Sequence, residues 1–117
     1  MLDTFTNAYI ATALWSSNDE STPQGGEFMD LNYSVDDIAP ETLEKIKADC
    51  AKFQSENWDM IEHDLDQAGH DFWLTRNGHG AGFFDGDWPK NGDKLTEICK
   101  TYNEVNLYVG DDGKIYC

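Results

Sequence analysis

The first basic side chain in this sequence is Lys45, and the 44 residues before it carry nine carboxylates with no Lys or Arg among them. Across 117 residues, 23 Asp and Glu face 8 Lys and Arg, a formal net charge of −15. A compact state of such a chain carries self-repulsion, which apolar burial has to outweigh. The composition meets that demand, with 39% hydrophobic and 13% aromatic residues. A disordered acidic tail lacks such aromatics, so the chain is expected to fold. Its length fits one domain, residues 1–117, able to bury a core without staples.

Three cysteines, Cys50, Cys99 and Cys117, are odd in number and never form a CxxC pair. That spacing argues against a disulfide framework and a zinc site, and predicts reduced thiols in a cytosolic protein. The N-terminal stretch MLDTFTNAYIATALW has no basic n-region, and no apolar run approaches the ~20 residues of a membrane span. A cytoplasmic protein without membrane contact is the expectation.

The first half, residues 1–66, reads as mainly helical. Phe5, Tyr9, Ile10, Ala13 and Leu14 fall at helical spacing within residues 3–16, with Asp3 or Thr4 as N-cap. A Ser/Pro/Gly-rich surface loop follows from Ser17 to Asn32. Ser34 suits the cap of a short turn through Asp37, and Pro40 the first turn of a longer helix. That helix shows a stripe of Leu43, Ile46, Cys50 and Phe53, continued by Met60, Ile61 and Leu65. A break near Asn57 and an unbroken run to Asp66 are both compatible with the pattern.

Residues 67–117 read as hairpin, helix, hairpin. The run Asp71-Phe72-Trp73-Leu74-Thr75-Arg76, the turn Asn77-Gly78-His79-Gly80 and the return Ala81-Gly82-Phe83-Phe84 predict a first hairpin. Lys94 to Tyr102 reads as a helix presenting Leu95, Ile98, Cys99 and Tyr102. Val105 to Val109 and Lys114 to Tyr116, joined by Gly110-Asp111-Asp112-Gly113, predict a second hairpin. The fold class is therefore α+β, with N-terminal helices packed on a small antiparallel sheet whose C-terminal half is ββαββ.

The stretch AGHDFWLTRNGHGAGFFDGDWP, followed by GDKLTEICKTYNEVNLYVGDDGKIY, resembles a family of small acidic proteins encoded by bacteriophages and their relatives. The resemblance covers roughly residues 67–116 and transfers no catalytic residue. It implies a phage-type protein working in the cytoplasm of a bacterial host, where short acidic chains often inhibit host defence or DNA metabolism.

The acidic run Glu56, Asp59, Glu62, Asp64, Asp66 and Asp71 contains no Lys or Arg, and none occurs between Lys52 and Arg76. On a continuous helix Asp59, Glu62 and Asp66 would share one face at one-turn spacing. Proteins that bind DNA match its phosphates with Lys and Arg grooves, and a rigid helix lined with carboxylates can occupy such a groove. The plainer explanation is a solvated acidic face that keeps the chain in solution. Asp36 and Asp37 extend the same basic-free character and join the candidate binding residues. Trp88, beside Asp87 in an expected loop, is a candidate exposed anchor, because interface hot spots favour Trp within a polar rim. Phe28 and Tyr33 are weaker candidates of that kind.

His70, Asp71, Arg76 and His79 offer an acid/base pair and an anion-steadying guanidinium. No Ser, Cys or second carboxylate stands beside them as a nucleophile motif. A capping and ion-pairing role accounts for the same residues. His63, His70 and His79 fit neither HExxH nor a zinc finger, and residues 85–93 fail as a calcium loop because Pro89, Lys90 and Thr96 stand at ligand or turn positions. No metal or cofactor is expected.

Together these features point to a non-enzymatic inhibitor that blocks the positively charged DNA or RNA groove of a host nucleic-acid-binding protein. A CRISPR effector complex or a restriction enzyme would suit, without direct contact to nucleic acid. The alternatives are a small enzyme built on His70, Asp71, Arg76 and His79, or a phage structural or assembly protein associating through a sheet edge. Nothing in the sequence fixes the oligomeric state.

Overall fold

A computed structural model describes residues 2–19, 27–78, 82–83 and 88–117. The α+β class holds: helices dominate and pack with two short antiparallel ribbons. Helix α1 spans Thr4–Ser16, and the expected cap is in place, with the Asp3 carboxylate accepting from the Thr6 N–H at 2.8 Å. Strand β1 (Asn18–Asp19) pairs antiparallel with β2 (Glu27–Phe28). Two 3₁₀ turns follow, Met29–Leu31 and Val35–Asp37. In the second, the Ser34 N–H donates to the Asp37 carboxylate at 2.8 Å.

Helix α2 runs Pro40–Ile61 with proline in its first turn. Both sequence alternatives for its end are resolved in favour of a break. Asn57 has non-helical backbone angles (φ −128°, ψ 17°) and kinks the helix, its side-chain amide donating back to the Phe53 carbonyl at 2.9 Å. A 3₁₀ turn, Glu62–Asp64, then reverses into α3, Leu65–Arg76. Helix α4 spans Gly92–Cys99. Strands β3 (Tyr108–Val109) and β4 (Ile115–Tyr116) form the C-terminal hairpin expected from the sequence, which turns through Gly113 at a positive φ of 79°. Its second strand docks beside the start of α2, where the Ala39 N–H donates to the Ile115 carbonyl at 2.9 Å.

The expected first hairpin is corrected. Residues 71–76 are the C-terminal half of α3, not a strand, and the other antiparallel ribbon lies at residues 18–19 and 27–28 instead. The two ribbons are separate, so the described residues hold no four-stranded sheet. The reason is burial on nearly every side: Ala68, Gly69, Asp71, Phe72, Trp73, Leu74 and Arg76 are all buried. A helix surrounded by protein loses the polar face that would announce its 3.6-residue period. The Asp64 carboxylate starts it by accepting from the Gln67 N–H at 3.2 Å. The turn at 79–81 and the residues 84–87 lie outside the described residues.

The core is an aromatic cluster. Phe53 of α2 stacks on Phe72 of α3 at 4.3 Å between ring centroids. Phe5 and Tyr9 of α1 close on Phe72 at 5.9 and 5.4 Å, and Phe83 reaches Phe53 at 5.8 Å. Such pairs add about 0.5–1.5 kcal/mol each beyond area burial, which helps offset the repulsion of the charge. Close packing of α1 on α3 depends on Gly69, where a Cβ would collide with the Phe5 carbonyl oxygen and crowd the Ala8 methyl.

Candidate functional site

The face that a continuous helix would give Asp59, Glu62 and Asp66 is broken around a corner, and the neighbouring carboxylates are spread with it. Glu56 and Asp59 lie in α2 on either side of the Asn57 kink, Glu62 and Asp64 in the 3₁₀ turn, and Asp66 in the first turn of α3. All five are exposed, and none is in an ion pair among the described residues. Asp36 and Asp37 stand apart, before the first turn of α2. Asp36 lines a depression with Leu43, Glu44 and Lys47 of the first turns of α2, and from Lys47 to Asp59 the helix rises by about 18 Å, so the candidate carboxylates do not form one surface.

Two of the five have a local reason to be acidic. Asp64 caps α3, and Asp66 sits at its positive N-terminal end. Both placements stabilise a helix by about 0.3–1 kcal/mol. Asp59 and Glu62 have the opposite placement. They lie in the last turn and at the C-cap of α2, a helix end with no basic residue in its final turn. There the partial negative charge of the helix end disfavours Asp59, where Lys or Arg would add stability, whereas Glu62 also opens the 3₁₀ turn, an end that favours an acid.

Trp58 stands beside them with 44% of its surface exposed. A depression of about 360 Å³ borders it, lined by Glu56, Asp59, Met60 and Lys94 among others. An adjoining depression of about 340 Å³ shares Asp59 and Met60 and adds His63, Trp88, Lys90 and Asn91. The corner thus joins an exposed indole, a partly buried thioether and carboxylates that form no ion pair among the described residues, with Lys90 and Lys94 in the lining.

Trp88 is corrected as an exposed anchor. It is 5% exposed, packs edge-on against Phe83 at 5.4 Å and against His63 at 5.0 Å, and donates its indole N–H to Asp71 at 2.7 Å. Asp87 lies outside the described residues. The helical stripe did not mark Trp58 as exposed, because on a regular helix residue 58 falls at the edge of the buried positions Cys50, Phe53, Gln54, Asn57 and Ile61, next to the Asn57 kink. Phe28 is exposed and Tyr33 half-buried.

The His70, Asp71, Arg76 and His79 group does not converge. Asp71 is buried and accepts from Gln67 Nε2 at 2.9 Å and Trp88 Nε1 at 2.7 Å, with His70 Nδ1 at 2.8 Å. The His70 ring also lies 6.1 Å from that of Trp15. Arg76 points elsewhere: its guanidinium donates to Asp49, the Tyr9 hydroxyl and the Asn103 carbonyl, and sits over the rings of Phe72 and Tyr102. Both charges are committed to holding elements together. His79 lies outside the described residues.

Burial pushes the Cys50 and Cys99 thiols up to about 12, far from the thiolate form a nucleophile or metal ligand needs. Among the described residues no group of three His, Cys, Asp or Glu side chains could hold a metal ion. No helix among them is long and apolar enough to cross a membrane.

Comparison with known proteins gives no match to a family model, to a curated protein or to a solved structure.

Proposed function

We propose that this protein is a binding inhibitor that uses the α2–α3 corner to occupy a positively charged nucleic-acid groove on a partner protein. The observation that carries this reading is the position of Asp59 and Glu62. Both are exposed and form no ion pair among the described residues, and Asp59 is set at a helix end where its charge is unfavourable, so helix capping does not account for it. Exposed Trp58 supplies an apolar anchor within that acidic rim. The resemblance of residues 67–116 to phage proteins supports a bacterial host complex, of CRISPR-effector or restriction type, as the partner.

Capture from bacterial lysate at low salt, followed by measurement of the captured protein's DNA or RNA binding, tests the proposal. The inhibitor is expected to displace the nucleic acid, and its association rate to fall about tenfold or more as ionic strength rises and the Debye length shrinks. Asp59→Lys with Glu62→Lys separates function from fold. The pair is expected to keep the fold, with Asp59→Lys gaining about 0.3–1 kcal/mol at the end of α2, while abolishing displacement. Unchanged displacement by that variant, or association indifferent to salt, removes groove occupation as the mechanism.

A further inference from the structure

A second surface lies on the first helix, away from the acidic corner in sequence. The solvent-facing positions of α1 are Thr4, Asn7, Ala11 and Trp15, spaced three or four residues apart, and none carries a charge. In a chain with 26% charged residues a wholly uncharged outer face stands out, since exposed helical faces are ordinarily charged or polar. This face borders a depression of about 390 Å³ whose walls include Ile10, Leu14, Trp15, Tyr33 and Val35, with Asp30 at its edge. Trp15 remains 45% exposed there, and Phe28 and Leu31, close to Asp30 in sequence, are 51% and 68% exposed.

Charge indicates what covers it. The depression is built entirely from the first 44 residues, which contain nine carboxylates and no Lys or Arg. A second copy of this chain would bring a further −15 against the same surface, which opposes self-association through this face. A helix with an apolar stripe and flanking Lys or Arg fits both features, its anchors at i and i+3 or i+4 entering the depression and its cations meeting Asp30 in the lining and Asp37, whose carboxylate accepts from the N–H of the lining residue Ser34. We propose that the α1 groove docks a cationic amphipathic helix of a partner protein. The lining of this groove shares no residue with the two depressions at the α2–α3 corner, so the proposal does not rest on that site.

The test uses the full chain and two synthetic peptides of identical Leu and Lys composition, one ordered as an amphipathic helix and one scrambled. At about 0.15 M salt, where the Debye length is near 8 Å, the amphipathic peptide is expected to bind at least about tenfold more tightly and to shift the NMR signal of the Trp15 indole. Ala11→Lys and Trp15→Ala should each weaken it about tenfold with the urea unfolding midpoint retained, and Asp59→Lys should leave it unchanged. Equal affinity for both peptides would reduce the effect to charge attraction and overturn the proposal. So would shifts confined to residues 56–66, full affinity in both Ala11→Lys and Trp15→Ala, or a dimer that buries Trp15.

Discussion

The indole N–H of Trp88 donates to Asp71 at 2.7 Å across 17 residues of sequence, tying the segment before α4 to the middle of α3. The carboxylate it reaches is almost completely buried, and a buried carboxylate is tolerated only where its oxygens are hydrogen-bonded. Gln67 and His70 complete the set. Trp88→Phe keeps an aromatic ring but deletes the pyrrole half of the buried indole with its N–H, so a cavity cost adds to the loss of about 1.5–3 kcal/mol expected for a hydrogen bond to a buried carboxylate. Asp71→Leu removes the acceptor altogether and leaves the buried indole N–H without its partner, so it too should destabilise the fold. Urea unfolding of both variants checks this; a Trp88→Phe variant as stable as the parent would show that the bond is not formed in solution.

Arg76 should be the more sensitive half of its ion pair with Asp49. The guanidinium side chain is 4% exposed and the Asp49 side chain 41% exposed, at 2.9 Å separation. Arg76→Met strands the buried Tyr9 hydroxyl and the Asn103 carbonyl together with Asp49, for an expected loss of about 3–5 kcal/mol. Asp49→Asn leaves the other three contacts of Arg76 in place, and Asp49 itself can be hydrated, so roughly 1 kcal/mol is expected. Arg76→Lys should recover little, because one ammonium cannot reproduce the planar fork that reaches three acceptors. Equal losses for Arg76→Met and Asp49→Asn in equilibrium unfolding would contradict this asymmetry.

What the sequence made legible follows from how one-sided each element is. Helices α1 and α2 show stripes because one side is wet, and the Asp3, Ser34 and Pro40 signals fall where the chain enters a helix or turn. Helix α3 is nearly all buried, and its aromatic run Phe72-Trp73-Leu74 mimics a strand. The available cue was at its start, where Asp64 followed three residues later by Gln67 matches a capping pattern. The burial of Trp88 had no local cue at all, since its partner is supplied by a distant helix. Of the site, the acidic residues could be read individually, but the corner that separates Asp59 from Asp66 depends on the Asn57 kink and the 3₁₀ turn after it.

Gly69→Ala sets two effects against each other. Alanine in a helix interior gains about 1 kcal/mol over glycine. Here the added methyl meets the Phe5 carbonyl, a backbone atom of α1 that cannot rotate away. Separating the two helices disturbs the contacts of Phe5 and Tyr9 with Phe72, and overpacking of this kind costs about 1–3 kcal/mol. A net loss, seen as a Tm lowered by several degrees, is expected in thermal unfolding. A raised Tm would show that α1 and α3 are not packed this closely.

The buried thiols predict an alkaline limit to stability. Burial lifts Cys50 and Cys99 from 9.0 to about 12 in the folded chain. Between these values the native state holds protons that the unfolded state has released, so unfolding is favoured as pH rises. Their contribution is fully present below pH 9.0 and is lost as pH climbs toward about 12. The slope approaches about 1.4 kcal/mol per pH unit for each thiol. Burial raises the Tyr9 hydroxyl in the same direction, so the decline should persist, less steeply, without the cysteines. Urea midpoints measured from about pH 8 to 11 should therefore fall in the parent and flatten in Cys50→Ala/Cys99→Ala. At neutral pH a thiol reagent should label Cys117, which is half-buried, well before the two core cysteines. Rapid labelling of all three in the native protein would contradict the burial on which the alkaline slope rests.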